Sequence, residues 1–90
     1  MELRLKGYGT IEITKATLVD GGDILIEAAD GFEKIAENTD YEITEVYLAR
    51  GNKYWWLIAW LNTLGNQTVE KYISIMPDNQ DDVYKLNAFL

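Results

Sequence analysis

Neither cysteine nor histidine occurs anywhere in the 90 residues. Without cysteine there is no disulfide framework, no thiolate nucleophile and no cysteine-based zinc site. Without histidine, the commonest general acid–base and the commonest metal ligand are missing as well. Proline occurs once, at Pro77, so no proline-rich linker divides the chain. Bases are scarce, eight Lys and Arg against fifteen Asp and Glu, for a net charge of −7. Long hydrophobic runs are missing too. The longest, Tyr54 to Leu61, has eight residues, whereas a membrane-spanning helix needs roughly 20. The opening MELRLKGYG places charges at Glu2, Arg4 and Lys6 and lacks the apolar stretch of a signal peptide. The expectation is a protein of the cytoplasm, in a cell or in a cell hosting a virus, that does not insert into a membrane.

What remains can fold. An apolar fraction of 48% is too high for a disordered chain, despite the charge. The length suits one hydrophobic core without staples, and no repeat or low-complexity tract interrupts it, so residues 1–90 read as a single domain.

Local pattern favours strands. Leu3 and Leu5 alternate with Arg4 and Lys6, and Ile11 and Ile13 with Glu12 and Thr14, so residues 10–19 read as a strand after the Gly7-Tyr8-Gly9 turn. Asp20-Gly21-Gly22-Asp23 is the next turn, because glycine reaches positive φ without steric cost. Segment 23–38 fits a strand through Ile24, Ile26 and Ala28, or a helix through Leu25, Ala29, Phe32 and Ala36. A strand over 23–29 followed by a short helix or loop over 31–38 is preferred, since Gly31 would sit mid-helix at a cost of about 1 kcal/mol. The second half reads as a meander of strands near 41–49, 54–62 and 68–75. Gly51-Asn52 suits a primed hairpin turn between the first two. Val83, Leu86 and Leu90 then recur at helical spacing, with Asp78 as the expected N-cap. The expected fold is α+β: an antiparallel sheet of five or six strands with a C-terminal helix packed on it.

As a strand, residues 54–61 would be apolar on both faces, with Tyr54, Trp56, Ile58 and Trp60 on one and Trp55, Leu57, Ala59 and Leu61 on the other. That pattern predicts a central strand covered twice. The competing reading is an exposed ladder of Tyr54, Trp56 and Trp60 that anchors a partner, because Trp and Tyr are enriched among interface hot spots. Bases of a nucleic acid are poor candidates for that ladder, since stacking platforms lie in positively charged grooves.

The acids are concentrated. Asp20, Asp23, Glu27, Asp30, Glu33, Glu37, Asp40, Glu42 and Glu45 fall in a little over a quarter of the chain with Lys34 as the only base, a net −8 against +1 for everything else. Such a face confers solubility whatever else it does. It also suits a basic surface on another protein, where carboxylates would stand in for phosphates, which DNA spaces at one charge per roughly 1.7 Å of axis. The same charge repels nucleic acid itself. Neither VDGGDILIE nor PDNQDD matches the calcium-loop pattern, so neither a metal nor a cofactor is expected. No nucleophile elbow, phosphate loop or dinucleotide fingerprint is present, which argues against an enzyme.

In element order alone, strands closed by one C-terminal helix resemble pleckstrin-homology-like domains. In size and charge the chain resembles the small acidic inhibitors of phages and mobile elements, including anti-restriction and anti-CRISPR proteins. The expected function is a non-enzymatic binding protein that docks on a basic, nucleic-acid-handling partner through Asp23, Glu27, Asp30, Glu33, Glu37 and Asp40, with Tyr54, Trp56 and Trp60 as anchors. The alternatives are a self-associating subunit joined through strand 54–62 and a small apolar-ligand-binding domain.

Overall fold

The computed structural model describes residues 1–30, 32–37, 41–63 and 71–88. Six strands, β1 (Glu2–Leu5), β2 (Gly9–Leu18), β3 (Ile24–Ala28), β4 (Tyr41–Arg50), β5 (Trp55–Thr63) and β6 (Lys71–Ile75), form one antiparallel sheet in chain order. Two short α-helices, α1 (Glu33–Ala36) and α2 (Gln80–Lys85), complete it. The α+β expectation therefore holds in its broad form, with sheet far outweighing helix.

The sheet curls until its first strand meets the chain leaving its last. Leu5 bridges Pro77, the Lys6 N–H donates to the Met76 carbonyl at 3.0 Å, and the Asp78 N–H donates to the Arg4 carbonyl at 2.9 Å. Both bonds come from residues beside the proline. Pro77, which has no N–H to give, therefore costs the seam nothing. An even number of strands in up-and-down order is what lets the last chain run antiparallel to the first.

One set of alternating side chains fills the inside. Leu3 and Leu5 of β1, Ile11 and Ile13 of β2, Ile24 and Ile26 of β3, Val46 and Leu48 of β4, and Leu57 and Ala59 of β5 are all buried in one cluster. Phe32 and Ile35 join it from the β3–β4 connection, and Val83 and Leu86 from the chain's end. Gln80 at the start of α2 completes an edge: its side chain accepts from the Trp55 N–H at 2.7 Å and donates to the Trp55 carbonyl at 3.0 Å. Trp55 packs inward and buries its indole N–H without a partner.

Two bulges keep the inner face in phase. In β2 the register shifts between Ile13 and Lys15, and in β4 between Ile43 and Glu45. An extra residue on one strand flips the alternation after it, so that Ile43 and Val46, three apart, both lie opposite inner residues, Leu61 and Ala59. The extra threonines turn outward and donate to carbonyls, Thr14 to Glu27 at 3.2 Å and Thr44 to Trp60 at a longer 3.4 Å.

Several expectations are corrected. Strand 54–62 is the fifth of six rather than a doubly covered centre: Leu57, Ala59 and Leu61 are buried, whereas Trp56, Ile58 and Trp60 on the other face are partly exposed. The 50–55 connection is a four-residue loop in which the Gly51 N–H donates to the Tyr54 carbonyl. A primed two-residue turn is absent there, since neither Gly51 nor Asn52 has positive φ. Glycine at 51 leaves room for a close neighbour instead, because a Cβ would stand 3.1 Å from the Trp56 ring and the ring would have to give by a few tenths of an ångström. The N-cap of α2 is Asn79, whose side chain accepts from the Asp81 N–H, and not Asp78, whose backbone is still paired with Arg4. Asp40, Val69, Phe89 and Leu90 lie outside the described residues.

Candidate functional site

The outer face of β4, β5 and β6 is where apolar and acidic side chains meet. Alternation and register set Glu45 opposite Trp60 and Trp60 opposite Tyr72, and beside them Tyr47 opposite Ile58 and Ile58 opposite Ser74. The Trp60 and Tyr72 rings stack at a tilt, 5.1 Å between centroids. Tyr72 is 55% exposed and Tyr54, in the loop before β5, 49%.

A shallow groove of about 600 Å³ runs across this face, lined by Tyr47, Ala49, Ile58 and Trp60 and, at its rim, by Asp20, Asp23 and Glu45. Among the described residues its lining includes no base. The β2–β3 turn brings the first two acids there. The Val19 N–H donates to the Asp23 carbonyl at 2.9 Å, the Gly22 N–H to the Val19 carbonyl at 3.2 Å, and Gly21 and Gly22 take φ of 87° and 86°. That left-handed pair makes the turn tight enough to fold back on β4. The bulge at Thr44 supplies the third acid, since unbroken alternation from Ile43 through Thr44 would turn Glu45 inward.

Tyr47 reports the resulting field. Its O–H donates to Glu45 Oε2 at 2.6 Å. That bond first, then desolvation, then the negative charges of Glu45 and Asp23, hold its phenol above the ordinary 10.0. The folded state thus grips this proton more tightly than the unfolded one. The stability so gained is present in full below pH 10 and is lost as pH rises through the raised folded value. An ultraviolet titration is expected to show Tyr47 ionising above pH 10.0, and Glu45→Gln to bring it back toward that value. An unchanged titration in the variant would contradict the assignment.

The residues picked out in the sequence are thus divided. Asp23 and Trp60 share the groove. Trp56 lies in a neighbouring one of about 320 Å³ with Ile58, Tyr72 and Arg50. Glu27 lines a third, between β3 and β4. Asp30, Glu33 and Glu37 are exposed on the β3–β4 connection and line none of these. Tyr47 and Tyr72 are not singled out by the sequence pattern, and neither Asp20 nor Glu45 is among the candidate contacts read from it. The three-residue step from Ile43 to Val46 was the available signal for Glu45, because it requires a bulge.

Among the described residues no group of three or more acids is placed to hold a metal ion, and no helix is long and apolar enough to cross a membrane. The sequence matches no family model, and neither the curated proteins nor the solved structures yield a match.

Proposed function

We propose that this chain is a small, non-enzymatic acidic protein of the cytoplasm that docks on a basic surface of another protein, one that handles nucleic acid, and so acts as a nucleic-acid mimic. The observation that carries this reading is the groove in which Asp20, Asp23 and Glu45 rim the partly exposed flank of Tyr47, Ile58 and Trp60. Arginine suits such a place: its guanidinium pairs with carboxylates and stacks on aromatic faces. The acids of the β3–β4 connection, Asp30, Glu33 and Glu37, add long-range attraction that speeds encounter. In this reading α2 packs on the sheet, supported by Val83 and Leu86 in the core, and leaves the outer face free.

The test is capture from host lysate on immobilised protein, washed at low salt and then at about 0.5 M, where the Debye length falls to a few ångströms. Basic nucleic-acid-handling proteins that release with salt are the expected result. No partner at either salt, together with a solution mass of a dimer or higher, would replace this reading with self-association through Trp56, Trp60 and Tyr72.

A further inference from the structure

The wall of the sheet is incomplete between β3 and β4. Only Ile24 and Leu25 of β3 are in register with β4, opposite Leu48 and Tyr47, whereas β4 pairs with β5 from Tyr41 to Arg50. Beyond Leu25 no ladder pair joins the two strands among the described residues. Continuing the register would set Glu27 opposite Glu45, and like charges directly opposite one another repel. The bulge at Thr44 bends β4 at the same point.

A groove of about 550 Å³ occupies the gap, with Ile26, Glu27 and Ala28 on one side and Thr44, Glu45 and Val46 on the other. Phe32 lines it from behind and keeps the core covered without the strands touching. Phe32 does so at φ 63°, the one residue other than glycine with positive φ among those described. An aromatic side chain rarely accepts that conformation. Along this stretch β3 pairs with β2 on one side and β4 with β5 on one side, and among the described residues neither has a ladder partner toward the other. Unpaired strand edges are templates for an extended chain.

The geometry points to the β3–β4 gap as the place where an extended, basic segment of the partner adds as a strand. Backbone pairing supplies the fit, and charge selects the occupant. Glu27 and Glu45 flank the gap, and among the described residues no base lines it. A second copy of this chain would bring the same acids against each other, whereas alternate Lys or Arg side chains would neutralise them. This inference rests on the proposed function for the sign of the partner's charge and adds the mode of engagement.

The experiment compares two eight-residue peptides of alternating Arg and Val, one unmodified and one N-methylated at every backbone nitrogen. The side-chain charges are the same, but the second has no backbone donors. Strand addition predicts that the methylated peptide binds at least ten-fold more weakly. It also predicts that the unmodified one slows hydrogen exchange at least ten-fold at alternate amides within 26–28 and 44–46. Equal affinity for the two, with tryptophan emission changed and exchange unchanged, would overturn the strand and leave docking on the outer groove intact. Failure of both peptides to bind while a lysate partner still releases with salt would also overturn it. Failure of both peptides and of every lysate partner would remove the proposed function as well.

Discussion

Reversing Asp20, Asp23 and Glu45 to lysine together is expected to weaken partner binding by about 100-fold at low salt, with far-ultraviolet circular dichroism unchanged. Each acid rims the groove and none is buried, so the reversals act on the contact far more than on the fold, with the bond from Tyr47 to Glu45 lost as well. An exposed charge contact is worth about 0.5 kcal/mol, and its reversal adds repulsion of similar size. Three together reach roughly 3 kcal/mol, or two powers of ten. The net charge moves from −7 to −1, so a control with the same shift is required. Reversing Asp30, Glu33 and Glu37, exposed on the β3–β4 connection and absent from the groove, supplies it. That variant is expected to lose only a few-fold, mostly in association rate, since charges away from a contact steer without anchoring. Equal losses in the two would mean that net charge alone governs binding, and full affinity in the groove variant would end the proposal.

The opposite outcome is expected inside the sheet. Leu57→Ala should destabilise the fold by about 3 kcal/mol. Leu57 is 0% exposed and lies in register between Leu48 and Ile75, so its truncation leaves a cavity walled by strands on both sides. A domain of this size has roughly 5–13 kcal/mol in all. With a urea slope of roughly 1–1.5 kcal/mol per molar, the midpoint would fall by about 2–3 M. Trp60→Ala is the informative comparison. It removes a larger side chain from the same strand but from the outer face, and its midpoint should move by far less. A Trp60→Ala loss as large as that of Leu57→Ala would mean that the outer face is packed, not available.

How much of this could be read from the sequence depends on what hydrophobic pattern reports. Alternation at Ile11 and Ile13 and at Ile24 and Ile26 places two strands within a residue or two of their observed positions, and the alternation at Leu3 and Leu5 falls within β1, because each has one wet face and one dry. The preference for a strand and then a short helix across 23–38 agrees with β3 and α1. The run from Tyr54 to Leu61 was harder. Trp and Tyr carry both an apolar body and a polar tip, so a face of Trp56, Ile58 and Trp60 gives the same pattern whether it is covered or half open. Where the sheet closes was hidden for a different reason. The Leu5–Pro77 bridge joins residues 72 apart, and no local propensity encodes that meeting. The site shows the same division. The acids were visible as a charge run, but the run extends over a turn, two strands and a helix. Only the fold separates Asp20, Asp23 and Glu45 from Asp30, Glu33 and Glu37.

The bulge at Thr44 also governs how this protein can change. Upstream of it Ile43 faces Leu61, and downstream Val46 faces Ala59. The extra residue has no partner on β5. With it left out, Ile43, Glu45 and Val46 would follow one another opposite Leu61, Trp60 and Ala59 in plain alternation. A substitution at Thr44 alters one exposed side chain, and a deletion there closes the bulge with Ile43 and Val46 still facing inward. A deletion at Tyr47, past the bulge, would instead roll the rest of the strand over, turning Leu48 to water. Thr44 is therefore a place where β4 can lose a residue as readily as change one, whereas farther along the strand length is held more tightly than chemistry.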